Sequence, residues 1–289
     1  MPNANQPGPE ESVDADAFNA FEKAGWEHQA PTYGDFFGPI TGRLVGPLLD
    51  AAAVGPGSRV LDLATGPGYV AAGASGRGAS VVGVDVAPAM VRLARQLHPD
   101  IDFRQADAEA LPFEDGSFDA VVTNFVVPHL GRPERAVGEL VRVLQDGGRL
   151  ALTTWDLPER MRLLGVFLDA FTEAGARPPD DLPIGPPFFR FASDDEFAAL
   201  LTAGGLSGVE VRTVAFSHSL GSADELWSGM LSATVRTSAL LLGQPEPTRQ
   251  RIREAFDRRV LEYRHGDRFE LPVAVKLALG HKPRPVGGD

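Results

Sequence analysis

The sequence contains no cysteine. That excludes a disulfide framework, a thiolate-bound metal and a catalytic thiol, and it leaves the redox compartment unmarked. No stretch reaches the roughly 18 consecutive apolar residues that a membrane-spanning helix requires. The first thirty residues have neither the basic start nor the apolar core of a secretory signal, so a cytoplasmic location is expected. Positive charge is scarce: 27 Lys and Arg stand against 39 Asp and Glu, a net charge of −12. A surface of that sign repels polyphosphates and anionic lipids, which argues against nucleic acid or membrane partners and leaves small uncharged or cationic molecules. Metal-ligand spacing is lacking as well, and no metal is expected. What is present is a chain of 289 residues, 43% apolar. It is long enough to bury one α/β unit with an accessory element.

The chain divides by pattern. Residues 1–12 hold three prolines and little that packs, and read as a disordered tail. From 13 to 55, Phe18, Phe21, Trp26, Tyr33, Phe36, Phe37, Leu44, Leu48 and Leu49 mark two or three amphipathic helical pieces, a cover for something else. Residues 56–217 alternate strand and helix signals, the pattern of an α/β fold with a doubly wound, Rossmann-like, mostly parallel sheet. Strands are predicted at Arg59–Ala64, Ser80–Asp85, Ile101–Gln105, Asp119–Asn124, Arg149–Trp155 and Gly208–Ser217. Helices are predicted at Tyr69–Ser75, Pro88–Leu97, Pro133–Leu144, Pro158–Ala174 and Asp194–Ala203. Residues 218–268 carry two more helices, Asp224–Leu242 and Pro247–Arg264, an insert expected to cap the active face. A last strand, Phe269–Leu279, opens the segment 269–289 and is expected to pair antiparallel at the sheet edge.

The sharpest motif is Val60-Leu61-Asp62-Leu63-Ala64-Thr65-Gly66-Pro67-Gly68, a buried strand running into a glycine turn and then a helix. In an open parallel sheet, ligands sit beyond the carboxyl ends of the strands, where this turn lies. Gly66 and Gly68 let the backbone approach a ligand closely. A bare strand-to-helix turn is one reading, and a dinucleotide site is another, because Gly66-x-Gly68-x-x-Ala71 satisfies the relaxed fingerprint. Asp62 weighs against a pyrophosphate on the helix N-terminus and favours a sulfonium cofactor with no phosphate, S-adenosylmethionine. Asp85, ending the second strand, suits ribose hydroxyls of either cofactor. Asp107, after the third, can accept from an adenine amino group while the Ala108 backbone addresses the ring. A lone Asp at such a place is commonly a helix cap. Three in strand order beside the glycine turn weaken that reading.

Together with Arg142-Val143-Leu144-Gln145-Asp146-Gly147-Gly148, these runs resemble the class I S-adenosylmethionine-dependent methyltransferases, in the branch similar to quinone-biosynthesis C-methyltransferases. The resemblance covers about residues 20–155. It implies a seven-stranded sheet with an antiparallel last strand. It also implies that Asp62, Thr65, Gly66 and Gly68 surround the methionine moiety, Asp85 the ribose, and Met90, Asp107 and Ala108 the adenine. Ala64 and Val86 belong to the expected cofactor set, and Tyr33 follows as a contact from the helix that closes over the donor in such enzymes. Ala64 stands where a glycine is common and Asp146 where a proline is; both are expected to be tolerated, Ala64 through a negative φ.

Methyl transfer from a sulfonium depends mainly on alignment and exclusion of water. A base is needed only where the acceptor must lose a proton. His129, just after the fourth strand, is the candidate for that role, with a hydrogen-bonding loop histidine as the alternative. Asn124 is expected to contact the donor. Trp155, Phe189, His218 and Trp227 are the expected acceptor wall. The expected activity is methylation of a small, apolar metabolite of secondary metabolism by a monomer or homodimer. The competing readings are a protein of the same fold acting as a non-methylating cyclase or scaffold, and a nicotinamide-dependent oxidoreductase, which Asp62 and Asp107 fit badly.

Overall fold

Strands form wherever short runs of Val, Leu and Ala alternate between two apolar faces, and the helices that follow cover those faces. The computed structural model describes residues 13–285. The expected tail, 1–12, and the end of the final segment, 286–289, lie outside the described residues. The strands are β1 (Arg59–Leu63), β2 (Ser80–Asp85), β3 (Asp102–Gln105), β4 (Phe118–Asn124), β5 (Leu144–Trp155), β6 (Ser207–Leu220), β7 (Arg264–His265) and β8 (Arg268–His281). They build one sheet in the order β3-β2-β1-β4-β5-β8-β6, with the two-residue β7 as a hairpin on β8. β3 to β5 run parallel, and β8 lies antiparallel to both β5 and β6. The chain steps outward from β1 to β3 and returns to β4, so the switch point falls between β1 and β4.

Period-two alternation fixes the faces. Val60, Ala120, Val122 and Ala151 pack beneath Leu48 and Val70 of α3 (Val45–Ala51) and α4 (Tyr69–Gly76). Leu61, Leu63, Val121, Leu150 and Leu152 meet the opposite layer, formed by Val137 and Leu140 of α6 (Pro133–Val143) and Phe197 and Leu200 of α8 (Asp194–Ala203). Each such fully buried Leu contributes about 1.5–3 kcal/mol. α5 (Pro88–Leu97) covers β3, with Val91 and Ala94 against Phe103.

Two segments far apart in sequence close over the strand tips. α1 (Ala15–Phe36) is a continuous 22-residue helix, capped by the Asp14 carboxylate on the Ala17 N–H, with α2 (Gly38–Thr41) after it. The Glu27 carboxylate accepts the Ala89 N–H at the start of α5 (2.6 Å) and pairs with Arg92. On its other side α1 meets the segment between β6 and β8, made of α9 (Ala223–Ala233), α10 (Arg236–Leu242) and α11 (Glu246–Val260). Gln29 donates to the carbonyls of Leu231 and Thr234. Gly25 lets Val235 approach so closely that a Cβ would lie 2.3 Å from its Cγ1. α7 (Arg162–Ala174) seats the insert through Phe167 and Phe171, against Ile252 and Phe256.

Several elements differ from expectation. The predicted helix Asp224–Leu242 breaks at Thr234, whose extended backbone ends α9 while its hydroxyl accepts the Ser238 N–H and restarts the chain as α10. The predicted helix Pro158–Ala174 begins at Arg162, because the Leu157 carbonyl first accepts a tight turn from the Arg160 and Met161 N–H groups. β5 starts at Leu144, with a register irregularity against β4 and Gly147 at φ +79°. Ala64 has φ +52°, not the negative value expected. That left-handed turn returns the Thr65 N–H to the Val84 carbonyl and aims the Gly66 N–H at Asp85. Among the described residues no helix is long and apolar enough to cross a membrane.

Candidate active site

A cavity opens over the carboxyl ends of β1 to β5, roofed by α1 and by the turn between α9 and α10. At one end of it the strand tips set the chemistry. Gly66, φ +52°, presents open space where a Cβ would stand, so its backbone is bare to the cavity. Asp85 is 93% removed from solvent. Its Oδ2 accepts the Gly66 N–H and its Oδ1 the Ala87 N–H, both at 2.9 Å. Burial pushes its pKa up to about 6, against the pull of those N–H groups. Each Asp85 oxygen keeps a lone pair for a further donor, as a ribose diol needs. Asp107 Oδ1 accepts the Glu109 N–H, and Ala108, Val86 and Met90 complete this end.

The other end is aromatic. Trp26, Tyr33 and Phe37 come from α1 and its C-terminus, Phe125 and Trp155 from the tips of β4 and β5, and Phe188 from the loop before α8. Phe125 holds φ +64°, a conformation that costs a bulky residue about 1–3 kcal/mol, and its N–H donates to the Thr153 hydroxyl. That backbone stacks its ring on Trp155 with centroids 3.8 Å apart. Burial raises the Tyr33 pKa to about 12, so the phenol stays neutral. His129 packs T-shaped against both Trp26 and Phe188, with ring centroids 5.0 and 5.8 Å apart. Its Nδ1 lies 3.0 Å from Glu22 Oε2. Glu22 is 3% exposed, and its Oε1 has no partner among the described residues.

Of the residues singled out in the sequence, Tyr33, Ala64, Gly66, Asp85, Val86, Met90, Asp107, Ala108, Asn124, His129 and Trp155 border this one cavity. Asn124 is tied on both sides of its amide, to the Thr41 carbonyl and the Thr153 hydroxyl. Asp62, Thr65 and Gly68 do not line it; they build the loop from behind. Asp62 Oδ2 accepts the Thr65 hydroxyl (2.6 Å) and the Ala71 N–H (2.9 Å), while its Oδ1 is left buried without a partner. Burial raises the Asp62 pKa to about 7. Gly68, φ +87°, is required because a Cβ would meet His98 and Phe103 at 2.9 Å.

Three expected wall residues lie elsewhere. Trp227 stacks on Phe167 and under Arg253, inside the packing of α9 on α7 and α11. Phe189 packs on Phe188, which takes the wall position in its place. His218 belongs to β6 opposite Leu271, and its nearest charges are Arg43, Glu225 and Glu270. Sequence reasoning assigned no site role to Glu22, Phe37, Phe125 or Arg236, all of which border the cavity. Of these, only Phe125 left a signal, being an aromatic next to Asn124 at a strand tip.

The strand-tip end fits an adenosyl ligand by its own chemistry. It offers a carboxylate with free lone pairs at the second strand, an acid at the third, and a glycine-bare loop at the first. Residues 61–152 match the family described as a methyltransferase domain. Among curated proteins, the demethylmenaquinone methyltransferase of Renibacterium salmoninarum is 37% identical over 44% of this chain and 52% of its own length. That of Beutenbergia cavernae is 34% identical over 57% of this chain and 72% of its own. The matched part thus spans about half the length of the first of these relatives. In fold, the YcgJ protein of Bacillus subtilis superposes with a TM-score of 0.56 at 22% identity, covering 84% of this chain and 99% of that one. Kinship at 34% identity across nearly three quarters of a relative leaves one assignment: the chain belongs to the S-adenosylmethionine-dependent methyltransferase family, and S-adenosylmethionine is its cofactor.

Proposed function

We propose that the protein transfers the methyl group of S-adenosylmethionine to a small, flat, largely apolar organic acceptor, with His129 taking the acceptor's proton. The observation that carries this reading is the Glu22–His129 pair, 3.0 Å apart, set in the aromatic end of a cavity whose other end is the strand tips. When bound, the cofactor supplies an electrophilic methyl on a positively charged sulfur. Asp85 would hold the ribose hydroxyls, Asp107 and Ala108 the adenine, and the Ala64–Gly66 backbone the methionine portion. A carboxylate on Nδ1 fixes the proton there, so that Nε2 presents its lone pair to an acceptor O–H or N–H. The same carboxylate stabilises the imidazolium that follows. Phe125, Trp155, Trp26 and Phe188 exclude water and offer flat faces for a planar acceptor. The names of the curated relatives support a quinol-like ring.

The test combines calorimetry with turnover. S-adenosylmethionine and S-adenosylhomocysteine are titrated first, and S-adenosylhomocysteine formation is then followed with a panel of planar hydroquinones and phenols. His129→Ala is expected to lower kcat about 100–10,000-fold, the range of a lost general base, and Glu22→Gln about 10–100-fold, the range of a lost charge-assisted contact, with cofactor affinity unchanged. Undiminished kcat in His129→Ala would remove the base. Failure to bind either cofactor form at millimolar concentration would remove the methyltransferase reading itself.

A further inference from the structure

Arg236, the first residue of α10, borders the cavity and is packed between the rings of Phe18 and Phe188, with its guanidinium carbon 5.3 Å from each centroid. Its one hydrogen bond among the described residues goes to the Pro186 carbonyl at 3.3 Å. A guanidinium carries five N–H donors, so most of its fork is unused. Other half-buried arginines of this protein, Arg142, Arg162, Arg190 and Arg253, each close on at least one carboxylate. No carboxylate of the described residues comes within 4 Å of Arg236. Removing a cation from water without a counter-ion is unfavourable, and a low-dielectric aromatic setting strengthens its pull on any anion that reaches it. Glu22 supplies part of the balancing field but is held at His129. Phe188 borders both Arg236 and His129, which puts the guanidinium at the aromatic end of the cavity, where His129 stands.

We propose that Arg236 is a specificity residue: the acceptor bears an anionic oxygen group, a carboxylate or an ionised hydroxyl, that docks on its guanidinium while the flat apolar body lies along Phe188 and the Phe125–Trp155 stack. This rests on the methyltransferase reading of the cavity and adds the charge of the substrate to it. The net acidity of the chain then matters for selectivity, since only an anion with a fixed cationic partner gains by entering. Arg serves this role better than Lys because its planar fork meets two oxygens at once.

The test uses matched probes on the full chain: 2-naphthoate against neutral 2-naphthamide, and 4-nitrophenolate against 4-nitroanisole, titrated by calorimetry with and without saturating S-adenosylhomocysteine. Wild type is expected to bind at least one anion tenfold or more tightly than its neutral partner, and the two pairs distinguish carboxylate from ionised hydroxyl. Arg236→Met is expected to bring the anion to the level of the neutral compound, and Arg236→Lys to keep part of the preference. The cofactor titration is read separately, so failure of S-adenosylhomocysteine to bind wild type counts against the methyltransferase reading alone. Equal binding of both members of each pair, no anion binding at millimolar concentration, or a full preference surviving in Arg236→Met overturns the proposal. If Arg236→Met does not fold, an Arg236→Lys protein with an undiminished and unaltered anion preference overturns it instead.

Discussion

Replacing Asp62 by Asn should remove part of the stability loss that the wild type shows as pH rises from about 5.5 to about 8. Asp62 is 1% exposed and one-sided: Oδ2 receives two donors while Oδ1 receives none. Desolvation therefore outweighs its hydrogen bonds and lifts the folded pKa to about 7, against about 4 in an unfolded chain. A carboxyl whose folded pKa is raised contributes stability that is complete below the unfolded value and is lost as pH rises through the folded one. Between about pH 5.5 and pH 8 the unfolded carboxyl is already ionised while the folded one releases most of a proton, which costs the wild type about 2 kcal/mol. Asn keeps an oxygen for Thr65 and Ala71 and has nothing to ionise. Urea denaturation of both proteins at the two pH values isolates the effect, because every other titrating group is common to them. The variant should gain about 2 kcal/mol on wild type as pH rises. A difference that stays constant would refute the view that burial dominates at Asp62.

Asp85 reports on the ligand. Its folded pKa of about 6 means that a diol or cation meets an ionised carboxylate only above that pH, so S-adenosylhomocysteine should bind about tenfold more weakly at pH 5 than at pH 7, and Asp85→Asn should flatten the profile in a calorimetric titration. Gly229 of α9 faces Phe36 of α1, where a Cβ would lie 2.0 Å from the ring. Gly229→Ala should lower stability by about 1–3 kcal/mol in thermal melts even though Ala is the better helix former.

Much of the strand-tip end was legible because its residues are local. Strand, glycine turn and Asp85 lie within 27 positions, and parallel-sheet topology brings successive strand tips together without further information. Asp62 does not border the cavity. Charge type suggested a ligand contact, whereas the fold turns its carboxylate back onto Thr65 and Ala71. The aromatic end was less legible, since Glu22 and Arg236 come from segments that no periodicity connects to His129. On a helical pattern Glu22 looks like one more solvated acid. Trp227 and Phe188 are equivalent as apolar aromatics in the sequence, and only the packing of α9 on α7, where Trp227 stacks on Phe167, makes the first part of the core. The left-handed backbone at Ala64 and Phe125 opposes local preference, which sequence patterns cannot show.

The place of β8 has a consequence for assembly. It is the last strand in chain order, yet it occupies an interior position and bridges β5 to β6 over twelve register pairs with β6 alone. Until Arg268–His281 has been synthesised and has threaded between them, β5 keeps an open edge and β6 has no neighbour at all. Unpaired strand edges would then wait for the slowest and most distant contacts, so the nascent chain is most prone to aggregate before Arg268–His281 has emerged.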